Sequence, residues 1–527
     1  MSEEQTFHRD CVAIDAVGEE KLAARRIILS GMADDMIKYA AQKGEEMAYR
    51  CGNREQFGLF PSSIEEYVGK EDQVRVYDAF VESLDFRELG IDVDEHQVGN
   101  PEYDPQAMLK LLVYGYCYGL KGSRKLERAC HHNVSFMWLM GGLKPDHKTI
   151  AEFRRRHKKA LKQVLKQCVR LCMKLDLIAG NVLFVDGTKI RASAGRGKTH
   201  DRAYYENKLK ELDARIDELL EACERIDQQE EGLESAVAMN QELRQAEGLK
   251  KKVEQALRGL KESGQEKVNL TDPDCALMHS VQGSHASYNV QSVVDDQHGL
   301  IVHVQAVSDT SDVNQFAEQI KQAQGVLEKP CEVACADAGY ADSSELKKID
   351  DEGIKVVVPS RRQARHQKEE KPFSKSQFRY DSEKDCYLCP EGKTLAYEYT
   401  NDKRGKKYYR ISEPSVCRGC VYFGRCTTDK NGRSVMRLVL EDLREKLEAQ
   451  YQACQEIYAK RKTRVEHPFG HIKRNLKTDG FMLRGKDGVQ AETSLLATCF
   501  DLRRMMTILG VSVLIEKLKL IAVPAMG

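Results

Sequence analysis

No stretch of this 527-residue sequence stays apolar long enough to cross a bilayer. The longest late run, Met505 to Ile515, stops at Glu516 and Lys517 and reads as a core helix, so no membrane segment is expected. Net charge is missing too, with 82 Lys and Arg against 82 Asp and Glu. A zero balance removes any chain-wide pull toward a polyanion, so contact with nucleic acid has to come from local patches. The sequence has no GxxxxGK[ST] phosphate loop, so ATP use is not indicated. His467 and His471 stand four apart without an HExxH frame, and read as phosphate or structural partners of Glu466. The N-terminus, MSEEQTFHRD, is polar and carries no signal-peptide pattern. The 17 cysteines are odd in number and mostly scattered, which fits a reducing cytoplasm better than a disulfide framework.

What is present is a polar chain, 41% hydrophobic and 31% charged, long enough for about three or four domains. Residues 1–60 are mixed and charged, with helical spacing around Ile27 to Ala48. Residues 61–175 read as a helical domain: Val76, Phe80, Val81 and Leu84 share a face, Pro105 opens a second helix, Ser123 is placed to cap a third, and a helical stretch runs from His147 to Lys174. That stretch carries Arg154-Arg155-Arg156-His157-Lys158-Lys159, then Lys162, Lys166, Arg170 and Lys174. Short helices, Gly-containing turns and a basic helix fit a helix-turn-helix DNA reader as well as they fit a plain helical bundle.

At residue 181 the period changes. Residues 181–185 are a short apolar β-type run that ends in Asp186-Gly187-Thr188, read as a strand leading into a turn. Residues 203–263 are highly charged, and Leu209, Leu212, Ile216, Leu219, Cys223 and Ile226 alternate steps of three and four, which predicts an antiparallel helical hairpin inserted in the fold. Strands are expected at Ala286–Val294, Leu300–Val307, Glu332–Ala336 and Ile354–Pro359, with helices at Val313–Gln324 and Ser344–Asp351. The alternation indicates α/β organisation for residues 180–360. Residues 361–437 are basic and Cys-bearing, and 438–520 return to helix.

Three acidic residues stand out. Asp186 and Asp337 each follow a hydrophobic strand, and Glu466 lies on a late helix. Alone, an Asp after a strand is usually a turn and a Glu on a polar helix is usually solvated. The ordered combination is what matters. Paired strand ends bring two carboxylates together, and a helix adds a third. Such oxygens suit Mg2+ or Mn2+, and two ions roughly 3.5–4 Å apart clamp the attacking and leaving oxygens of an in-line phosphoryl displacement. Tyr458, Lys462 and Glu466 share a helix face, with Arg461 and Lys473 nearby, and basic side chains there would hold DNA phosphates. Pro468 is expected to kink this helix near Arg464.

Taken in order, several pieces resemble the DDE transposases of bacterial insertion sequences, in the branch with a cysteine-rich insertion before the catalytic Glu. They are Asp104-Pro105 with Leu111-Leu112, Gly115, Gly119, Ser123-Arg124 and Leu126-Glu127; Thr149-Ile150 with Phe153-Arg154; Val185-Asp186-Gly187-Thr188; Thr271-Asp272-Pro273-Asp274; Tyr288-Asn289-Val290-Gln291; Ala336-Asp337 with Gly339-Tyr340; and Glu466-His467-Pro468-Phe469-Gly470 with Lys473. The resemblance covers nearly everything after about residue 55. It implies an RNase H-like mixed-sheet catalytic core with an all-helical N-terminal domain that recognises transposon ends. It also implies a metal-dependent enzyme that cuts those ends and joins them to target DNA, with Asp186, Asp337 and Glu466 catalytic. The family's Tyr, Arg, Glu, Lys signature falls on Tyr458, Glu466 and Lys473, while the Arg role falls on Arg461 or Lys462. Phosphate contacts are further expected from Arg124, Lys148, Arg154 and Arg155. The implied partner is double-stranded DNA, both transposon ends and target, met by a homodimer or larger assembly in the cytoplasm at the nucleoid. The competing readings are a remnant that only occupies DNA ends and a nuclease that cuts without rejoining.

Cys386 and Cys389 form one CxxC pair, Cys417 and Cys420 a second, and Cys426 follows six positions later. Two such pairs are a common arrangement for a structural Zn2+, and the fifth cysteine can replace one of the four. Cys223, Cys331 and Cys335 read as core residues.

Overall fold

The computed structural model describes residues 63–91, 102–227, 233–280, 283–364 and 373–522. The N-terminal extension, with the helical spacing expected at Ile27 to Ala48, lies outside the described residues. From Ile64 onward the chain forms one compact unit.

The unit begins with helices α1 (Val74–Glu82), α2 (Phe86–Leu89), α3 (Pro105–Cys117), α4 (Ser123–His132), α5 (Val134–Leu139), α6 (His147–Arg156) and α7 (Lys158–Lys174). Asp104 caps α3, its carboxylate accepting from the Gln106 and Ala107 amides, with Pro105 in the first turn where a missing N–H costs nothing. The cap expected from Ser123 is not made. Gly122 holds the cap position of α4, and the Ser123 hydroxyl accepts from Arg154 instead. The single stretch expected from His147 to Lys174 breaks at His157, which separates α6 from α7.

Strand β1 (Val182–Arg191) forms the centre of the main sheet. It pairs antiparallel with β5 (Gly283–Asp295), which pairs antiparallel with β6 (Ile301–Val307). On its other side β1 runs parallel to β7 (Val333–Cys335), and β7 parallel to β8 (Lys355–Val357). β4 (Ala276–Ser280) pairs with the first half of β5. This is the mixed sheet expected of an RNase H-like core. One expectation is corrected: Asp186 does not lie past the end of its strand. β5 is long enough to partner β1 from Leu183 to Arg191, so the ladder carries on through Asp186, Gly187 and Thr188.

Helices α8 (Arg202–Asp227) and α9 (Leu233–Ser263) form the inserted hairpin. They run antiparallel, since Arg215 pairs with Glu242 and Lys250 with Asp213. Its base is closed by β2 (Thr199–Asp201) and β3 (Lys267–Asn269), and Tyr205, Leu212, Val253, Ala256 and Leu260 make a small core of its own. After β6 comes α10 (Phe316–Leu327), and α11 (Ser343–Asp350) connects β7 to β8.

The basic, Cys-bearing region contains a five-stranded antiparallel sheet. Its strands are β9 (Arg379–Asp381), β10 (Cys386–Leu388), β11 (Thr394–Asn401), β12 (Lys406–Ile411) and β13 (Ser434–Leu438), each neighbouring the next. The short helices α12 (Arg361–Ala364) and α13 (Pro414–Arg418) precede and interrupt it. The chain then re-enters the core through α14 (Glu441–Ala453) and α15 (Gln455–Arg474), separated at Cys454. Pro468 does not end α15. It is buried within the helix, and the amide it lacks is the one that would have reached the Arg464 carbonyl.

Helix α16 (Gly485–Leu509) is followed by α17 (Val511–Ala522). α16 is buried on nearly every side from Gly488 to Leu502 and packs against α7, β6 and α3, so one apolar core runs from the N-terminal helices through the sheet. Its buried Asp501 accepts from the Ile301 amide, and its buried Glu492 from the Met482 and Leu483 amides. Among the described residues, no helix is long and apolar enough to cross a membrane.

Candidate active site

Side chains alternate across β1, and the even-numbered ones face α15. Phe184 packs on Val465, Asp186 meets Arg461, and Thr188 meets Lys473. Arg461 Nη1 stands 3.8 Å from Asp186 Oδ1, and the guanidinium lies 5.7 Å from the Tyr458 ring centre. Tyr458 is braced edge-on by Tyr451 at 4.9 Å. Lys473 Nζ donates to Thr188 Oγ1 at 2.5 Å. Lys462 is exposed, while Lys460 and Arg464 pair with Asp296.

Asp337 follows β7, the parallel neighbour of β1, and caps a short 3-10 turn by accepting from the Gly339 amide at 2.7 Å. Burial pushes the Asp186 carboxyl up to about 6; Arg461 opposes this, while Asp337 and Asp312 add to it. The two expected aspartates are therefore electrostatic neighbours. Burial also lowers the Lys473 ammonium, against the pull of Asp186.

Glu466 is exposed on α15, between the two residues that touch β1. At about 100° and 1.5 Å per residue it lies nearly in line with Lys473, about 10 Å along the axis, and about 7.5 Å along the axis but about 140° around it from Arg461. Among the described residues, no three His, Cys, Asp or Glu side chains are already gathered tightly enough to grip an ion. The chemistry of the donors nonetheless suits a hard divalent cation. Asp186 is a half-buried carboxylate beside two further carboxylates, with one arginine to offset them, so the pocket is short of positive charge.

Next to Asp186, Gly187 adjoins a group that sequence reasoning missed. Asp312 Oδ1 accepts from Asn289 Nδ2 and Gln291 Nε2, both at 2.7 Å, and the Tyr340 hydroxyl donates to Gln291 Oε1 at 2.5 Å. Asn289 and Gln291 are buried on β5, in register with Lys189 and Gly187. A Cβ on Gly187 would come 2.4 Å from Gln291 Nε2 and 2.8 Å from Asp312 Oδ1, so only glycine leaves room for this network next to Asp186. Residues 288–291 and the Gly339-Tyr340 pair, noted above as pieces of a resemblance, thus converge on one structure. Asp312 itself comes from a loop without periodicity, which offered no signal. Asp272 has a similar tying role: Oδ1 accepts from the Tyr288 hydroxyl at 2.8 Å and the Gly485 amide at 3.1 Å.

His471 is held neutral, pushed down to about 4 by burial, then by Arg503 and His467. It packs on Phe500 and meets Asn475, so it is a structural partner and carries no charge toward phosphate.

Of the residues expected to meet DNA outside the core, Arg124 and Lys148 are exposed, and Arg155 is exposed in a pair with Glu152. Arg154 is a correction. It is buried, and its guanidinium donates to the Lys121 carbonyl at 2.7 Å and to the Ser123 hydroxyl, which fixes α6 against the turn before α4. The next residue's charge faces out; this one is spent inside.

The five cysteines expected as zinc ligands fall into two groups. Cys389, Cys417, Cys420 and Cys426 line a single apolar pocket beside the small sheet. Cys386 does not. It is buried in β10, in register between Asp381 and Ala396. Cys331 and Cys335 are buried, as expected of core residues, while Cys223 is half-buried on the hairpin.

Two family models match the chain. Residues 62–156 match a transposase domain (DUF772), and residues 388–506 match a transposase DDE domain. The second match spans β10 to α16 and includes Glu466, whereas Asp186 and Asp337 precede it. No curated protein matches the chain. A helical N-terminal region of one transposase type, a mixed sheet, and a late helix of the DDE type occur in one chain in the expected order. Both matches are to transposase domains, and in this order they indicate an insertion-sequence DDE transposase, a type of enzyme that cuts DNA and transfers its strands with divalent metal ions.

Proposed function

We propose that Asp186, Asp337 and Glu466 are the catalytic carboxylates, and that they act on the ends of the mobile element and then on target DNA. The observation that carries this reading is the double contact of α15 with β1. Arg461 at Asp186 and Lys473 at Thr188 bracket Glu466 and hold its helix across the strand that bears the first aspartate.

Asp186, Asp337 and Glu466 would hold Mg2+ or Mn2+, which supplies Lewis acidity to the scissile phosphate and lowers the cost of an attacking oxygen anion. Arg461 and Lys473 place positive charge where a phosphate would lie, and the Tyr458 ring limits the directions the guanidinium can take. Water attacks phosphorus at the element end and the 3′ oxygen leaves. That 3′-OH then attacks a target phosphodiester in the same pocket, so one bond forms for each that breaks. Arg124, Lys148 and Arg155 on α4 and α6 are placed to steady duplex phosphates outside the pocket. The two ends are brought together by two or more copies of the chain.

The test is a strand-transfer assay with duplex ends taken from the DNA flanking the coding region. Asp186→Asn, Asp337→Asn and Glu466→Gln each abolish cutting and joining while leaving end binding intact. Cutting without joining by the unaltered protein would mark a nuclease, and binding with neither a remnant. Retained activity in any of the three variants would remove that residue from the set.

A further inference from the structure

The cysteine pocket lies apart from the catalytic face. Its lining brings together residues from two separate turns: Cys389 from the β10–β11 connection, and Cys417, Cys420 and Cys426 from the long connection between β12 and β13. Two of the sulfurs already accept backbone hydrogen bonds, from the Lys393 amide to Cys389 Sγ at 3.3 Å and from the Arg433 amide to Cys417 Sγ at 3.5 Å. Each donor directly follows a left-handed glycine, Gly392 at φ 73° and Gly432 at φ 76°. Gly432 also packs tightly on Cys417, since a Cβ there would stand 3.3 Å from its sulfur. Amide hydrogen bonds of this kind orient the two sulfurs, as backbone donors do around metal-bound ligands.

We propose that Cys389, Cys417, Cys420 and Cys426 form a structural site for one tetrahedral Zn2+, and that Cys386 takes no part in it. All four cysteines line the same pocket, and among the described residues no three of them are yet grouped to hold an ion, so their side chains must turn toward one another to take it. The need for such a tie is visible in the surroundings. The 412–433 connection has one short helix and no strand, and its large apolar residues Val421 and Phe423 are exposed, at 89% and 38%. Among the described residues the small sheet has a core of Phe378, Tyr387, Leu395, Tyr409 and Val435, with Cys389 and Cys426 packed at its edge. A small core of this kind gains most from a covalent or metal clip. The ion would bind the loose connection to the β10–β11 turn and so stiffen the sheet from which α14 and α15 leave.

Metal content of the purified full-length protein tests this. The unaltered protein and Cys386→Ser carry about one zinc per chain, and Cys389→Ser, Cys417→Ser, Cys420→Ser and Cys426→Ser lose it. Because some variants can fail to fold, alkylation of the unaltered protein supplies a second reading. With zinc bound those four thiols resist modification, and chelator exposes them together while Cys386 stays protected. A protein without zinc, or one whose zinc depends on Cys386, or chelation that leaves the four labelling rates unchanged, would each overturn the proposal.

Discussion

Arg461, and not Lys462, meets Asp186: its Nη1 lies 3.8 Å from Oδ1, with the Tyr458 ring beside the guanidinium. Arg461 is half-buried at this contact, while Lys462, one residue closer to Glu466, is exposed. The arginine restrains a carboxyl that burial drives the other way, and this coupling has a measurable consequence in pH.

Asp186 is pushed up to about 6. Below that pH it is protonated and cannot hold a cation. At subsaturating Mg2+, strand transfer rises as pH climbs through about 6, and excess Mg2+ moves the midpoint down by competing with the proton. Stability of the metal-free protein runs the opposite way. The fold favours the protonated form, so this group stabilises at low pH, and that contribution is lost as pH rises through about 6. Arg461→Ala removes the opposing charge and moves the activity midpoint upward. A profile that stays flat between pH 5 and 7.5 at limiting Mg2+ would contradict the assignment.

Gly187→Ala tests the network beside it. The new methyl meets Gln291 Nε2 and Asp312 Oδ1 inside contact distance, so the amides and carboxylate must shift. A loss of stability of about 1–3 kcal/mol is expected, with a fall in strand transfer larger than the fall in end binding. Thermal denaturation and the two assays, run on the same preparation, separate these effects. Unchanged activity would mean that the network does not position Asp186.

Lys473→Ala removes the contact with Thr188 and a positive charge beside Asp186. Strand transfer is expected to fall on the order of 100-fold, with partial recovery in Lys473→Arg. Thr188→Val isolates the hydrogen bond, because it removes the acceptor and keeps the charge. If Thr188→Val proves as damaging as Lys473→Ala, then the lysine acts by orientation more than by charge.

Arg154→Ala and Arg124→Ala diverge. Arg154 is buried and tied to Lys121 and Ser123, so its loss leaves two acceptors unsatisfied and destabilises the fold by about 1–3 kcal/mol, read by denaturant titration. Arg124 is exposed, so its loss leaves stability alone, weakens duplex binding and lowers the salt slope by about one unit. Equal denaturation midpoints for the two variants would refute the distinction.

Much of the fold was legible because burial imposes periodicity. The apolar run before Asp186, the three-four spacing of the hairpin and the alternating strands and helices after residue 283 all follow from which side chains must leave water. The three acidic residues were singled out for a related reason: carboxylates at a strand, after a strand and on a late helix are a chemical pattern in the linear order. The extent of β1 was not, because its second half is strand only by virtue of its pairing with β5. Nor was the inward turn of Arg154, since nothing local distinguishes it from Arg155.

The sequence by itself determined the kinds of element, their order and the types of group available for chemistry, since these depend on local propensity and solvent exclusion. Only the tertiary structure decided which groups meet. It chose Arg461 over Lys462, set Asp312 against Gly187, and left Cys386 out of the thiol pocket. Such choices depend on strand register and helix rotation, which are fixed by long-range packing and leave no trace in the spacing along the chain.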